Sequence, residues 1–155
     1  FLPRRHSLRR GTGGCPVSRP LREILIVDDN PADAFLHREV LQGLGVAERL
    51  TDAEHGQAAI SVLCERRKQS ARLPELVLLD VNMPVMDGWE FLDQASDHGL
   101  LATSTVVMLR ATSVIAAESI QPAAQRQPDA WLDKPLDAEA VARIVHKLVR
   151  DASAP

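Results

Sequence analysis

The sequence predicts an α/β fold, a doubly wound five-stranded parallel sheet with helices on both faces, and three observations carry that expectation. From residue 21 onward, short continuous apolar runs alternate with helix-length amphipathic segments, the pattern of buried strands joined by crossover helices. Three of those runs end in charged groups: EILIV in Asp28-Asp29, ELVLL in Asp80 and DAWLD in Lys134. Strands of a parallel sheet bring their carboxyl ends to one edge, where open α/β sheets bind ligands, so these four groups are expected to meet there. Finally, 155 residues at 45% hydrophobic composition can bury one sizeable core and hardly two.

The elements follow in order. Residues 24–27 form the first strand. Asn30 offers an N-cap and Pro31 a first helical residue, and the helix places Phe35, Leu36, Val40, Leu41 and Leu44 on one broad face before Gly45 ends it. A weaker strand lies at 49–53. The next helix starts near Gln57, turns Ala59, Ile60, Leu63 and Cys64 inward and closes with the charged ERRK stretch. Residues 76–79 form the third strand, 89–96 a short helix stopped by Gly99, and 106–109 the fourth strand. A fourth helix is expected in SVIAAESIQPAAQRQPDAW, where Pro122 removes a backbone donor and should stop or kink it near Ile120. Residues 130–133 make the fifth strand, and the last helix, capped by Asp137, buries Val141, Ile144, Val145, Leu148 and Val149.

Charge and composition divide the chain further. Residues 1–20 carry five arginines and no acid, are rich in Gly and Pro and lack apolar periodicity; they read as a basic disordered arm. All 21 acids and 13 of the 18 Lys and Arg lie beyond it, so the domain at 21–150 is acidic, and 151–155 reads as a short tail. Direct nucleic-acid binding is therefore not expected. No apolar run approaches the roughly 20 residues needed to span a bilayer. Cys15 and Cys64 lack metal-ligand spacing and are too few for a disulfide framework, which fits a reducing cytoplasm. His6, His37, His55, His98 and His146 are scattered and read as surface or helix residues. The glycines at 11–14 lack the Gly-Lys-Ser/Thr ending of a phosphate loop.

The sheet edge is where chemistry concentrates. Converging carboxylates repel one another unless a cation neutralises them. Mg²⁺ suits the set, because it takes oxygen ligands, needs few protein carboxylates and keeps positions open. With that charge and Lys134 screening it, Asp80 becomes able to attack phosphorus and form an aspartyl phosphate.

Residues 21–150 resemble the receiver domain of bacterial response regulators through LIVDDN, LVLLDVNMPVMDG and WLDKP taken together. The resemblance implies a flavodoxin-like three-layer sandwich. It also implies Asp80 as phosphoacceptor from a sensor histidine kinase, and Asp28, Asp29, Asp80 and the Asn82 backbone carbonyl as the Mg²⁺ ligands. Lys134 would be the phosphoryl counter-ion, with a cis peptide before Pro135 aiming it inward. DDNPADAFLHREVL and NMPVMDGWEFLD look closest to stand-alone receivers, whose donors include phytochrome-type and other hybrid kinases. Such receivers signal through contacts with a downstream protein or with a second copy.

Two features depart from or decorate the pattern. Receivers end the fourth strand with Thr or Ser, but the matching residue, thirty positions after Asp80, is Arg110. Three roles stand open: pairing with the phosphoryl group, pairing beforehand with the acidic cluster, or pointing to solvent beside the small Ala111. A bulge bringing Thr112 into play is a further alternative. Trp131, three residues before Lys134, resembles the family's switching aromatic, although an ordinary partly buried Trp is the plainer reading; Trp89 reads as packing. Three function classes follow. The first is a phosphorylatable signalling module. The second, motivated by Arg110 and Pro122, is a receiver-like interaction domain that needs no phosphorylation. The third, a Mg²⁺-dependent phosphohydrolase with an aspartate nucleophile, is weakened by short loops and the lack of a cap domain.

Overall fold

The computed structural model describes residues 19–111 and 126–153. Its elements alternate along the chain: β1 (Leu21–Val27), α1 (Pro31–Leu44), β2 (Ala47–Ala53), α2 (Gly56–Lys68), β3 (Leu76–Asp80), α3 (Gly88–Asp97), β4 (Thr105–Ala111), β5 (Ala130–Lys134) and α4 (Ala138–Ser153). All strand pairs are parallel, in the order β2-β1-β3-β4-β5. The doubly wound sheet is thus as the alternating runs predict. Strand addition reverses direction between β1 and β3, and that switch point opens a crevice at the carboxyl edge.

Successive strand residues face opposite sides, and both sides are covered. Along β3, Val77 and Leu79 join a core with Ala59, Ile60 and Leu63 of α2 and Phe91 and Leu92 of α3. Leu76 and Leu78 join the other core, with Leu41 of α1 and Val141, Val145 and Val149 of α4. Five consecutive buried residues in β3 are what two covered faces demand. Cys64 packs at the margin of the first core.

The helix starts are set by short polar side chains. Asn30 Oδ1 accepts from the Ala32 and Asp33 amides at 2.9 and 3.4 Å, and Gly45 ends α1 at φ 61°, a left-handed conformation that glycine adopts without strain. Asp87 and Glu90 form a reciprocal capping box on α3. Asp137 caps α4 through the Ala140 amide at 3.1 Å. α2 starts at Gly56, one residue before the expected Gln57, because His55 Nδ1 accepts from the Ala58 amide at 3.0 Å. Gly88 is required by closeness: a Cβ there would lie 2.6 Å from the Asp80 carbonyl oxygen. The absence of that atom lets α3 start directly against the end of β3.

Several expectations need correction. The first two strands start earlier than read, at Leu21 and Ala47, and β4 runs on through Arg110 to Ala111. In α1, Phe35 and Leu36 are 60% and 52% exposed, whereas His37 and Leu41 are 2% and 1% exposed. The buried face is narrower than the apolar pattern suggests: Phe35 sits about 200° around the helix from His37, and the buried stripe is centred on His37 and Leu41. His37 is thus a helix residue that faces the core and not the surface. The arm up to residue 18, the end of the tail, Thr112 and the Pro122 helix lie outside the described residues.

The α1 stripe makes a stability contrast. Leu41→Ala should cost about 2–5 kcal/mol by leaving a core cavity, while Phe35→Ala should change stability by less than about 0.5 kcal/mol. Denaturant melts of the two variants check both.

Candidate functional site

The sheet register assembles the site. Val27 pairs with Leu79, so Asp28 and Asp80 leave adjacent strand ends side by side. Asp80 pairs with Leu109 of β4, and Ala111 pairs with Lys134 of β5. Asp28, Asp29 and Asp80 each offer a carboxylate oxygen within 4.8 Å of the others. The Asp28 side chain is fully buried, Asp80 is nearly so and Asp29 is open to solvent.

Both buried acids are held by the same local device. Asp28 Oδ1 accepts from the Asn30 amide at 2.9 Å, and Asp80 Oδ1 accepts from the Asn82 amide at 3.2 Å. The second oxygen of each turns to Lys134, whose Nζ lies 2.9 Å from Asp28 Oδ2 and 3.1 Å from Asp80 Oδ2. The Lys134–Pro135 peptide is cis, as the resemblance implies.

Electrostatics follow from burial among like charges. Desolvation pushes the Asp80 carboxyl up, Lys134 opposes that, and the Asp28 charge reinforces it. For Lys134, burial by itself disfavours the ammonium, yet the hydrogen bond to Asp28 and the charges of Asp80 and Asp28 outweigh it and hold the amine charged well above the ordinary lysine value. The donors are all hard oxygens, one carboxylate is open to solvent, and a single ammonium faces two of these three acids. That set fits Mg²⁺, which would be held by Asp28, Asp29 and Asp80. Beside Asp28 and Asp29, a cleft of about 790 Å³ opens between α1 and the loops after β2 and β3, lined among others by Phe35, Arg38, His55 and Val85.

Arg110 is not drawn into this cluster. Its Nε donates to Asp133 Oδ1 at 2.7 Å, and its guanidinium lies 5.8 Å from the centre of the Trp131 ring. Strand alternation explains the outcome. Leu109, the partner of Asp80, faces the α1/α4 core, so Arg110 turns to the opposite side with Asp133 and Trp131. Of the roles left open for Arg110, pairing with the acidic cluster is not the one seen: the side chain is paired with Asp133 and largely exposed. Trp131 is half-buried, with its ring 5.8 Å from that of Trp89, which packs into the core as expected.

Two residues escaped the sequence reading. Asp33, in the first turn of α1, places Oδ2 3.2 Å from Lys134 Nζ. Its signal was an acid four residues beyond Asp29, just after an Asn-Pro helix start. His37, one turn further on, backs onto Asp28, with its Nδ1 3.7 Å from Oδ2 and without a hydrogen-bond partner among the described residues. Burial lowers its pKa, and the nearby Asp28 charge only partly offsets this.

Comparison with known proteins places this geometry. The sequence profile described as the response regulator receiver domain matches residues 24–146. The probable methanogenesis regulatory protein FilR2 of Methanothrix harundinacea is 32% identical over 125 residues, covering 81% of this chain and 79% of that protein. Response regulator Rcp1 of Synechocystis is 34% identical over 93 residues, 59% of this chain and 63% of its own length. The crystal structure of a two-component response regulator from Cytophaga hutchinsonii superposes with a TM-score of 0.70 at 26% identity, covering 85% of this chain and 99% of the other.

Lys134→Ala, measured without divalent ions, should destabilise the fold by about 3 kcal/mol by leaving buried carboxylates without their ammonium, and chemical denaturation reads this directly. His37 gives a pH signature. Its folded pKa is lowered, so below the ordinary histidine value near 6.5 the unfolded chain binds a proton that the folded chain refuses. Stability should fall as pH drops from about 6.5 through the lowered folded value, and His37→Leu should flatten that part of the pH–stability curve.

Proposed function

The chain belongs to the response regulator receiver domain family, a module of two-component signalling, and from that premise we propose that Asp80 is its phosphoacceptor, charged by a sensor histidine kinase. The observation that carries this reading is a buried Asp80 carboxylate sharing one lysine with Asp28 at the switch point of the sheet. Asp80 Oδ attacks the phosphorus of a phosphohistidine; the O–P bond forms, the P–N bond breaks and the imidazole leaves to take up a proton. Lys134 stays beside the transferred group and offsets its charge.

Asp28, Asp29 and Asp80, with the Asn82 backbone carbonyl, are the residues that would hold Mg²⁺. When bound, that ion supplies the positive charge that three carboxylates and a phosphoryl group together require. The donor on this reading is a kinase of phytochrome or other hybrid type, and the output is contact with a downstream protein or a second copy of the chain. The acidic domain argues against direct nucleic-acid contact. Among the described residues no helix is long and apolar enough to cross a membrane.

Trp131 is the aromatic positioned to relay the change, since it lies between Arg110 and Trp89. A second reading, an interaction domain that needs no phosphorylation, is favoured by one observation: Arg110, at the place of the family's hydroxyl, is engaged by Asp133 on the face away from Lys134.

Incubation with acetyl phosphate and Mg²⁺, followed by intact mass, should show one added phosphoryl group in the wild type and in Arg110→Thr, and none in Asp80→Asn or with EDTA. A wild type that stays unmodified while Arg110→Thr is phosphorylated would establish the second reading.

A further inference from the structure

Three carboxylate oxygens lie within reach of one ammonium: Asp28 Oδ2 at 2.9 Å, Asp80 Oδ2 at 3.1 Å and Asp33 Oδ2 at 3.2 Å from Lys134 Nζ. An ammonium has three N–H donors and no acceptor. Two of these partners belong to the acidic cluster at the sheet edge, and their oxygens are the ones a divalent cation and an incoming phosphoryl group would claim. Asp33 differs from them in every respect that matters. It is not part of the cluster, its side chain is 36% exposed where Asp28 is fully buried, and it comes from a helix, not from a strand end. Its place is set by the Asn30 cap, which accepts the Asp33 amide, and by Pro31 at the helix start.

We infer that Asp33 is a positioning residue for Lys134, an anchor that keeps the ammonium at the site while Asp28 and Asp80 turn their oxygens to other partners; the inference rests on the phosphotransfer reading above. Anchored by one N–H to Asp33, Lys134 presents its other two toward Asp80 and whatever Asp80 carries. Neutralising Asp33 makes the ammonium draw more tightly on Asp28 and Asp80, so those oxygens become harder for a cation to take. Loss of such an outer partner commonly weakens metal binding by at least tenfold.

The test compares Asp33→Asn in two backgrounds, wild type and Lys134→Ala, with Mg²⁺ affinity from titration calorimetry and the rate of phosphorylation by acetyl phosphate from intact mass. In the wild-type background, Asp33→Asn should weaken Mg²⁺ binding and slow phosphorylation by roughly tenfold, and Asp33→Glu, which keeps a carboxylate, should recover most of both. In the Lys134→Ala background, Asp33→Asn should change Mg²⁺ affinity by less than about twofold, because the effect runs through the lysine. An equal loss in both backgrounds would show Asp33 acting as a simple negative charge, and no loss in the wild-type background would show no action at all; either overturns the inference. A wild type that binds Mg²⁺ and takes up no phosphate sinks the phosphotransfer reading, while the two-background comparison of affinity still decides Asp33.

Discussion

Like charge forced together at one sheet edge is the constraint around which this molecule is arranged. The parallel register leaves Asp28 and Asp80 no choice but to end side by side, because their strands are neighbours and end level. Water cannot relieve the repulsion for the buried pair, so the fold relieves it with one ammonium from the strand end at β5 and one backbone amide for each acid. The parts of the structure that look like loop detail serve this arrangement. The Asn30 and Asp87 caps fix where α1 and α3 start, and Gly88 permits the second start to fall against Asp80 itself.

Much of this was legible in the chain. The fold class and the meeting of Asp28, Asp29, Asp80 and Lys134 at one sheet edge follow from apolar runs that end in charge, since a strand's carboxyl end needs no long-range information to identify. What could not be read was which face of each element the neighbours would cover. A helix stripe looks the same over a range of rotations when apolar residues are frequent, so the pattern points Phe35 and Leu36 inward, whereas the fold exposes both and buries His37. Asp33 was hidden for a related reason, because an acid in a first helical turn already has an explanation in the helix dipole.

Arg110 shows a different limit. Its position in the register was legible, but its partner was not, because the choice between Asp80 and Asp133 depends on strand alternation at the last two residues of β4. A long guanidinium at this place meets a carboxylate on its own face, two residues beyond Trp131, and the ring beneath adds a cation–π contact. Both groups are largely exposed, so the ion pair contributes little to stability. Its effect is on geometry: it defines the surface over Trp131.

The closeness of Trp131 to Trp89 has an optical consequence. The chain contains two tryptophans and no tyrosine, so its near-ultraviolet absorption and emission arise almost wholly from this pair of rings, 5.8 Å apart and inclined at 57°. Chromophores at that separation exchange excitation and share their circular dichroism, and the spectrum belongs to the pair as a unit. One ring rides on the start of α3, a helix that begins against Asp80, and the other on the strand that ends in Lys134. The protein's intrinsic colour in the ultraviolet is therefore a ruler laid between the helix that begins against Asp80 and the strand that ends in Lys134.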